Sequence, residues 1–440
     1  MELTRIVHPV GQGAFYTEEL CYNGKYFNAV YDCGTLTTCK NKTREELIEH
    51  RIKCYLSNLK KTEIDIIFIS HLHEDHINGI DYLIKNAKVK YLFLPQLISE
   101  TIIETYLYNY ISVGKVDNIS NNLLSLLITE AKIYSYKDEK FKTQIKYVPI
   151  TKKNISINDN EKLIIAVNYA KEDKNFIIKF ENSISNNSND FLYIPYNLDI
   201  ENKTDKFKKD FIEKIQGLYD KNKILQDNLQ KQGIKKEDIE SIVSNIKSLN
   251  ILKIIVESIG IKECKKIYKE IFGNNHNSYS MALFSGNKRD NVDNEFVINK
   301  KCFKCLNLYN KLLQNISKNK FWEIYKTLFN KKSCYNINPN CLYTGDFEVK
   351  NNFNKLKDFY SNLKLWNTIK TIQVPHHCSR KNYFSKLYSN IYSCFISVGI
   401  KNKYKHPNID TLINIQKKVC DVNIVTEHKS TKKIYKYIIK

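Results

Sequence analysis

No window of this 440-residue sequence approaches an unbroken apolar run of the roughly 18–20 residues that a helix needs to cross a bilayer. The start, Met1-Glu2-Leu3-Thr4-Arg5-Ile6, also lacks a basic stretch followed by an apolar one, so no secretion signal is expected. The expectation is a cytoplasmic protein without a membrane span. Twelve cysteines occur, mostly singly within predicted strands and helices. Without a secretion signal they read as reduced thiols, not as a disulfide framework. Cys302-Phe303-Lys304-Cys305 is the one CxxC. No second pair accompanies it, which argues against a structural zinc there. No internal repeat is found. Acidic side chains are in the minority, 47 Asp+Glu against 69 Lys+Arg, giving a formal charge of +22. Such an excess fits an anionic partner, with nucleic acid the usual one. The abundance of Lys, Asn, Ile and Tyr is also what an AT-rich genome encodes, and the charge alone does not separate these two origins.

Histidine is scarce too, ten in all, yet three of the ten fall within His71-Leu72-His73-Glu74-Asp75-His76. The run follows Ile64-Asp65-Ile66-Ile67-Phe68-Ile69-Ser70, a β-branched and aromatic stretch that predicts a buried strand. Imidazoles and a carboxylate bunched where a strand ends build a metal site on a rigid element. Two further apolar stretches read as strands ending in similar groups: Cys341 to Phe347 carries Gly345-Asp346, and Thr371 to Ser379 carries Pro375-His376-His377. Alone, Gly-Asp is commonly a turn and His-His a surface pair. Together, in this order, the three ends supply what a dinuclear centre requires, two ions roughly 3.5–4 Å apart sharing a carboxylate.

At 42% hydrophobic residues a sizeable core is available, and the length suits either several domains or one large domain with insertions. The first segment reads as strands over Arg5–Val7, Ala14–Cys21 and Phe27–Asp32, with a hairpin signal at Asn23-Gly24. A helix is predicted over 43–58, a short one over Ile80–Ile84, and a strand over Val89–Leu94 closed by Pro95. This alternation implies a layered α/β domain. The character changes over 201–272. Phe207, Phe211, Ile212, Ile215 and Leu218 form one helical stripe, and Ile239, Ile242, Val243, Ile246 and Leu249 another. The stripes read as packing surface, with a partner-binding helix as the alternative. Asn182 to Asn189 is a polar loop, and 308–331 a further helix. The division is 1–200, first part of the α/β domain; 201–272, helical insertion; and 273–440, second part.

The order His-x-His-x-Asp-His, Gly-Asp, Pro-His-His resembles the metallo-β-lactamase fold hydrolases, and most nearly the soluble ComEC-like group with the related phosphorylcholine esterases. Val10-Gly11-Gln12-Gly13-Ala14, Tyr31-Asp32-Cys33-Gly34, Val374-Pro375-His376-His377-Cys378-Ser379 and Lys405-His406-Pro407 are similar to that group's smaller motifs. The resemblance covers 1–200 and 275–440 and leaves the helical insertion out. It implies a four-layer αββα sandwich interrupted by that insertion, holding two divalent metal ions. His71 and His73 would hold one ion, Asp75, His76 and His377 the second, and Asp346 would bridge them. Asp75 would also orient the attacking hydroxide. His376 is left for substrate phosphate or proton transfer, and His406 and Ser379 are substrate-side candidates. In the third motif Asn277 and Ser280 fit the group's Asn-x-x-Ser pattern while His276 stands one residue away, so His276 and Asn277 both remain candidate ligands. Cys378 stands where the group has glycine, either narrowing the approach to the metal or filling a small space. Asp32 is a candidate partner for the ligand histidines.

The donor set suits Zn²⁺, with Mn²⁺ or Fe as alternatives. Bound metal lowers the pKa of water from about 15.7 to about 7, which implies hydrolysis by a metal-bridging hydroxide. The favoured reading is a phosphodiesterase or nuclease. It draws on the ComEC-like pattern, the charge, thirty tyrosines, and the basic tracts Lys206-Phe207-Lys208-Lys209 and Lys318 to Lys332. A small-molecule ester, phosphoester or lactone hydrolase is the second reading. The third is a partner-dependent effector or sensor of a multi-gene system, such as a bacterial immunity operon, with 201–272 binding another protein.

Overall fold

The computed structural model describes residues 1–39, 41–95, 99–114, 133–134, 142–148, 163–184, 190–198, 204–244, 249–272, 280–288, 296–298 and 338–439. The expectations for Cys302–Cys305, 308–331, Lys318–Lys332, His276 and Asn277, and for residues 185–189 of the polar loop, lie outside these. Among the described residues two sheets form the centre. The first has nine strands in the order β12 (Phe296–Ile298), β17 (Lys433–Ile438), β1 (Glu2–Val7), β2 (Phe15–Tyr22), β3 (Lys25–Cys33), β4 (Glu63–Phe68), β5 (Lys88–Pro95), β7 (Lys142–Val148), β6 (Ile133–Tyr134). The second has eight, in the order β16 (Asp421–Val425), β15 (Ser393–Ser397), β14 (Thr371–Gln373), β13 (Cys341–Tyr343), β11 (Ala282–Asn287), β10 (Phe191–Tyr196), β8 (Ile164–Ala170), β9 (Asn175–Glu181).

The run β3-β4-β5-β7 is parallel, as is β13-β14-β15-β16. Parallel strands are covered on both faces, and β4 accordingly buries nearly every residue. Alternation then sorts side chains to the two faces. In β3, Ala29 and Tyr31 face the second sheet, while Val30 joins the outer cluster. The inner faces of both sheets merge in one apolar layer, where Leu20, Phe27, Phe68 and Phe93 meet Ile165, Tyr193, Leu283 and Phe395. Helices cover each outer face. On the second sheet these are α9 (Val349–Asn362) and α10 (Ile409–Gln416). On the first they include α1 (Arg44–Leu56), α3 (Ile80–Asn86) and α4 (Ser99–Val113). The order of layers is helix, sheet, sheet, helix. The helix α1 starts at a capping box: Thr43 Oγ1 accepts from the Glu46 N–H at 3.2 Å and Glu46 Oε2 from the Thr43 N–H at 2.7 Å.

The stretch after β10 folds as α5 (Thr204–Tyr219), α6 (Lys223–Gln230), α7 (Ile239–Ser244) and α8 (Leu249–Phe272), the last bent at Gly260. Phe211, Ile212, Ile215, Ile239 and Val243 of the two stripes are buried here, in the same cluster as α1, α3 and α4. These parts of the stripes are therefore packing surface, continuous with the outer core of the first sheet. Among the described residues no helix is long and apolar enough to cross a membrane.

One polar group is sealed between the sheets. The guanidinium of Arg5 is fully buried and donates to Glu18 Oε1 at 2.6 Å and to the Pro339 carbonyl at 2.9 Å. The hydroxyls of Tyr343 and Ser285 donate to the same Glu18 carboxylate at 2.8 and 2.6 Å.

Candidate metal centre

The histidine motif is placed by the carboxyl end of β4, as parallel sheets place most sites. After Ser70 the chain runs out through His71 and His73, and α2 (Glu74–Ile77) follows at once. Asp75 and His76 thus project from one helical turn. Asp32, at the end of β3, locks this exit. Its Oδ1 accepts the Ser70 N–H at 2.7 Å, and its Oδ2 accepts the Ser70 hydroxyl at 2.7 Å and lies 2.7 Å from His76 Nδ1. Helix α4 holds the other side: Asn109 accepts from the Glu74 N–H at 3.1 Å and donates to the Leu72 carbonyl at 3.2 Å.

Glycine is required beside this turn. A Cβ on Gly34 would stand 2.5 Å from the carbonyl carbon of Asp75 and 2.6 Å from the nitrogen of His76. These are backbone atoms and cannot swing aside. Gly34→Ala should therefore cost about 1–3 kcal/mol, and the displaced Asp75 and His76 should bind metal more weakly. A urea midpoint with metal analysis checks this; wild-type metal content in the variant would count against it.

The second sheet brings the remaining groups. Beyond β13, the amides of Thr344 and Gly345 donate to Gln373 Oε1 at 3.1 and 3.0 Å, and that of Asp346 to Ser280 Oγ at 3.0 Å. Beyond β14 the expected strand stops early. Residues Pro375–Cys378 form a tight turn in which His376, His377 and Cys378 all have positive φ, at 49°, 51° and 66°. Each such non-glycine residue costs on the order of 1–3 kcal/mol, so packing must hold the turn. Cys378 does part of this: its side chain is fully buried in the outer cluster of the second sheet. Of its two expected roles, the structure assigns the filler.

The ring nitrogens have a consistent division. The outer nitrogen of each of four histidines has a protein partner. His71 Nδ1 lies 2.9 Å from Ser70 Oγ, His73 Nε2 3.4 Å from Glu104 Oε2, His76 Nδ1 2.7 Å from Asp32 Oδ2, and His377 Nδ1 2.8 Å from the Ser397 carbonyl. The other nitrogens of His71, His76 and His377 converge on two carboxylates. Asp346 lies 3.9 Å from His71 Nε2, 3.4 Å from His76 Nε2 and 3.9 Å from His377 Nε2, and Asp75 lies 3.2 Å from His377 Nε2. Two sets of donors each fall within 4.8 Å of one another: His71, His76 and Asp346, and Asp75, His76 and His377. Among the described residues, His73 is the expected ligand that stands outside both, although its ring centroid is 4.4 Å from that of His71.

The donors fit divalent metal. His71 Nε2, His73 Nδ1 and Asp75 Oδ1 are buried without a hydrogen bond, which is costly unless something electropositive satisfies them. Fixing the outer nitrogen sets the tautomer that leaves the inner one as a ligand. The electrostatics of Asp346 and His71 agree. Burial opposes the charged form of Asp346, but the imidazoles of His376, His76 and His377 outweigh it and hold the carboxyl well below its usual range. Burial, with His76 and His73 beside it, keeps His71 neutral. Against the pull of burial, Asp32 and Asp75 hold His76 well above the ordinary imidazole range, so an ion binding there must displace its proton.

The substrate-side candidates spread out. His376 Nε2 is 3.8 Å from Asp346 Oδ2, and its side chain is 23% exposed. The His406 ring lies 5.7 Å from that of His376 and 6.3 Å from that of His377. Burial pushes His406 down to about 3, which leaves it neutral. Ser379 Oγ accepts from the Lys381 N–H at 3.4 Å within its own turn. The sequence reading missed Glu104, Tyr108, Tyr268 and Tyr404. Tyr108 stacks on His73 at 3.8 Å, and Tyr404 on His406 at 6.0 Å. No spacing pattern marked any of the four.

Residues 10–176 match the family described as Anti-Pycsar protein Apyc1. No curated protein matches the chain. Among solved structures, the subclass B3 metallo-β-lactamase MEM-A1, isolated from a soil metagenome library, is 10% identical over 44% of this chain and 55% of its own, with a TM-score of 0.18. A β-lactamase domain protein from Burkholderia ambifaria is 11% identical over 40% and 48%, with a TM-score of 0.17. The chain thus spans about half the length of these structures, and likeness this slight carries no argument about chemistry. None of the three is described as ComEC-like.

Proposed function

We propose that this chain is a dinuclear metal-dependent hydrolase of the metallo-β-lactamase type, acting as a phosphodiesterase. The observation that carries the reading is the division of ring nitrogens. His71, His73, His76 and His377 each spend one nitrogen on a fixed protein partner, and the opposite nitrogens of three of them close on Asp346 and Asp75. In this reading His71 and His73 hold one ion, Asp75, His76 and His377 the other, and Asp346 is shared. Residues 1–200 and 273–440 form the hydrolase domain around the insertion 201–272. Zinc suits the donors best. When bound, such a pair supplies an activated water and positive charge for the phosphoryl oxygens.

The chain's own groups do the rest. Asp75 Oδ1, without a hydrogen bond, is placed to accept a proton from the attacking water and to orient it. His376 and His406, both held neutral by burial, line the rim and would bind a phosphate oxygen through N–H. Burial pushes the Tyr404 phenol up to about 12, so it stays a donor at neutral pH. The formal charge of +22 favours an anionic substrate. The match to a family described as anti-Pycsar supports an immunity-related setting.

The test is direct. Metal-loaded protein should hydrolyse bis-p-nitrophenyl phosphate or DNA, and Asp75→Ala with His76→Ala should abolish turnover. Metal-replete protein inert on both substrates would overturn the phosphodiesterase reading.

A further inference from the structure

Behind His73 lies a chain of contacts that leaves the hydrolase core. His73 Nε2 is 3.4 Å from Glu104 Oε2 on α4, and the other oxygen of Glu104 accepts the hydroxyl of Tyr268, on α8, at 2.5 Å. All three side chains are buried. The Tyr108 ring packs between them, 3.8 Å from His73 and 6.2 Å from Tyr268. Tyr268 belongs to the inserted helices, yet it is two hydrogen bonds from a candidate ligand.

We propose that α8 is part of the metal site, with Tyr268 a positioning residue that fixes Glu104 and, through it, the ring of His73. The inference rests on the reading of His73 as a ligand. A carboxylate on the outer nitrogen fixes a histidine's tautomer and ring plane. Here the carboxylate itself needs fixing, because Glu104 has two oxygens and only one serves His73. The hydroxyl of Tyr268 occupies the other and so decides which oxygen faces the imidazole. Among the described residues His73 is also the candidate ligand that stands outside the two tight donor sets, so its ring depends most on outside support. The helical segment that looked like a separable attachment thereby sets how well the first ion is held. A partner or substrate that moved α8 would change metal occupancy without touching the metal.

The experiment uses the full chain, stripped of metal and titrated with Zn²⁺ against a chromophoric chelator. Tyr268→Phe keeps the ring and deletes one hydroxyl. It should weaken the more loosely held ion about 10–100-fold. Tyr110→Phe is the control on the same helix pair, because the Tyr110 hydroxyl donates to the Glu257 carbonyl of α8 at 3.5 Å. It should leave both affinities unchanged, and the metal-free melting temperatures of the two variants should be alike. Because the effect runs through Glu104, Tyr268→Phe should add little to Glu104→Gln. Wild-type zinc affinity in Tyr268→Phe, or a full additional loss on top of Glu104→Gln, overturns the inference and leaves the proposed function standing. Wild-type protein that takes up no metal overturns both.

Discussion

Asp346→Ala should strip the protein of metal and reduce hydrolysis by more than about 100-fold, beyond what loss of an outer partner of a ligand typically costs. Asp346 is the point where the two sheets share one charge. Its carboxylate faces His71, His76, His377 and His376, each within 4 Å, and it is held in place by the bond from its own amide to Ser280. Its partners span both donor sets, with His71 in one and His377 in the other. Asp75 is 4.0 Å from His76 and 3.2 Å from His377, so its loss should spare the His71 side. His376→Ala gives the contrast. With its half-buried ring at the rim, it should keep the metal and lose turnover. Elemental analysis after gel filtration, beside a turnover assay, separates the two. Asp346→Ala protein that retains two ions per chain would remove the shared carboxylate from the proposal.

The second large effect is on stability. Glu18→Ala should destabilise the protein by about 3–5 kcal/mol, because it leaves the buried Arg5 guanidinium without its counter-charge. Two hydroxyls, those of Tyr343 and Ser285, lose their acceptor at the same time. Against a typical total of about 5–15 kcal/mol, this is a large fraction. Removing the pair entirely is different. Arg5→Met with Glu18→Leu should cost less than Glu18→Ala, since no charge stays buried unpaired, although the Tyr343 and Ser285 hydroxyls still lose their acceptor. Urea unfolding of the single and double variants measures both. If Glu18→Ala costs under about 1 kcal/mol, water reaches the pair and the seal between the sheets is not what it looks.

The histidine motif was legible in the sequence because four of its donors fall in one six-residue run just beyond a strand. Local chemistry fixed their proximity before any long-range contact was known. Asp346 and His377 were legible for the same reason, each closing an apolar stretch. The strands themselves were overestimated: Cys341–Phe347 and Thr371–Ser379 keep only three strand residues each. Bringing ligands inward demands a turn, and at 376–378 it demands left-handed backbone that no periodicity announces. Ala14–Cys21 shifted by one residue to Phe15–Tyr22, within the usual play of strand ends. The partners behind the ligands differ in kind. Asp32 was visible because it ends a neighbouring strand. Glu104 and Tyr268 sit 31 and 164 residues from their partners, on helices whose polar positions look like any others. The apolar stripes of 201–272 were readable as stripes, but not the surface they would cover.

The position of β17 governs how the first sheet is assembled. The strand is neither last in its sheet nor at the edge. It pairs with β1 on one side and β12 on the other, so residues 433–438 complete a ladder begun by residues 2–7. During synthesis, β1 and β2 emerge hundreds of residues before their neighbour. The first sheet therefore cannot close until nearly all of these residues have left the ribosome, and β1 must wait with one edge open. Contacts of such long sequence separation slow folding, and a waiting edge invites pairing with the wrong strand. The protein's yield in a cell should accordingly depend on how well nascent chains are shielded, more than on the stability of the finished fold.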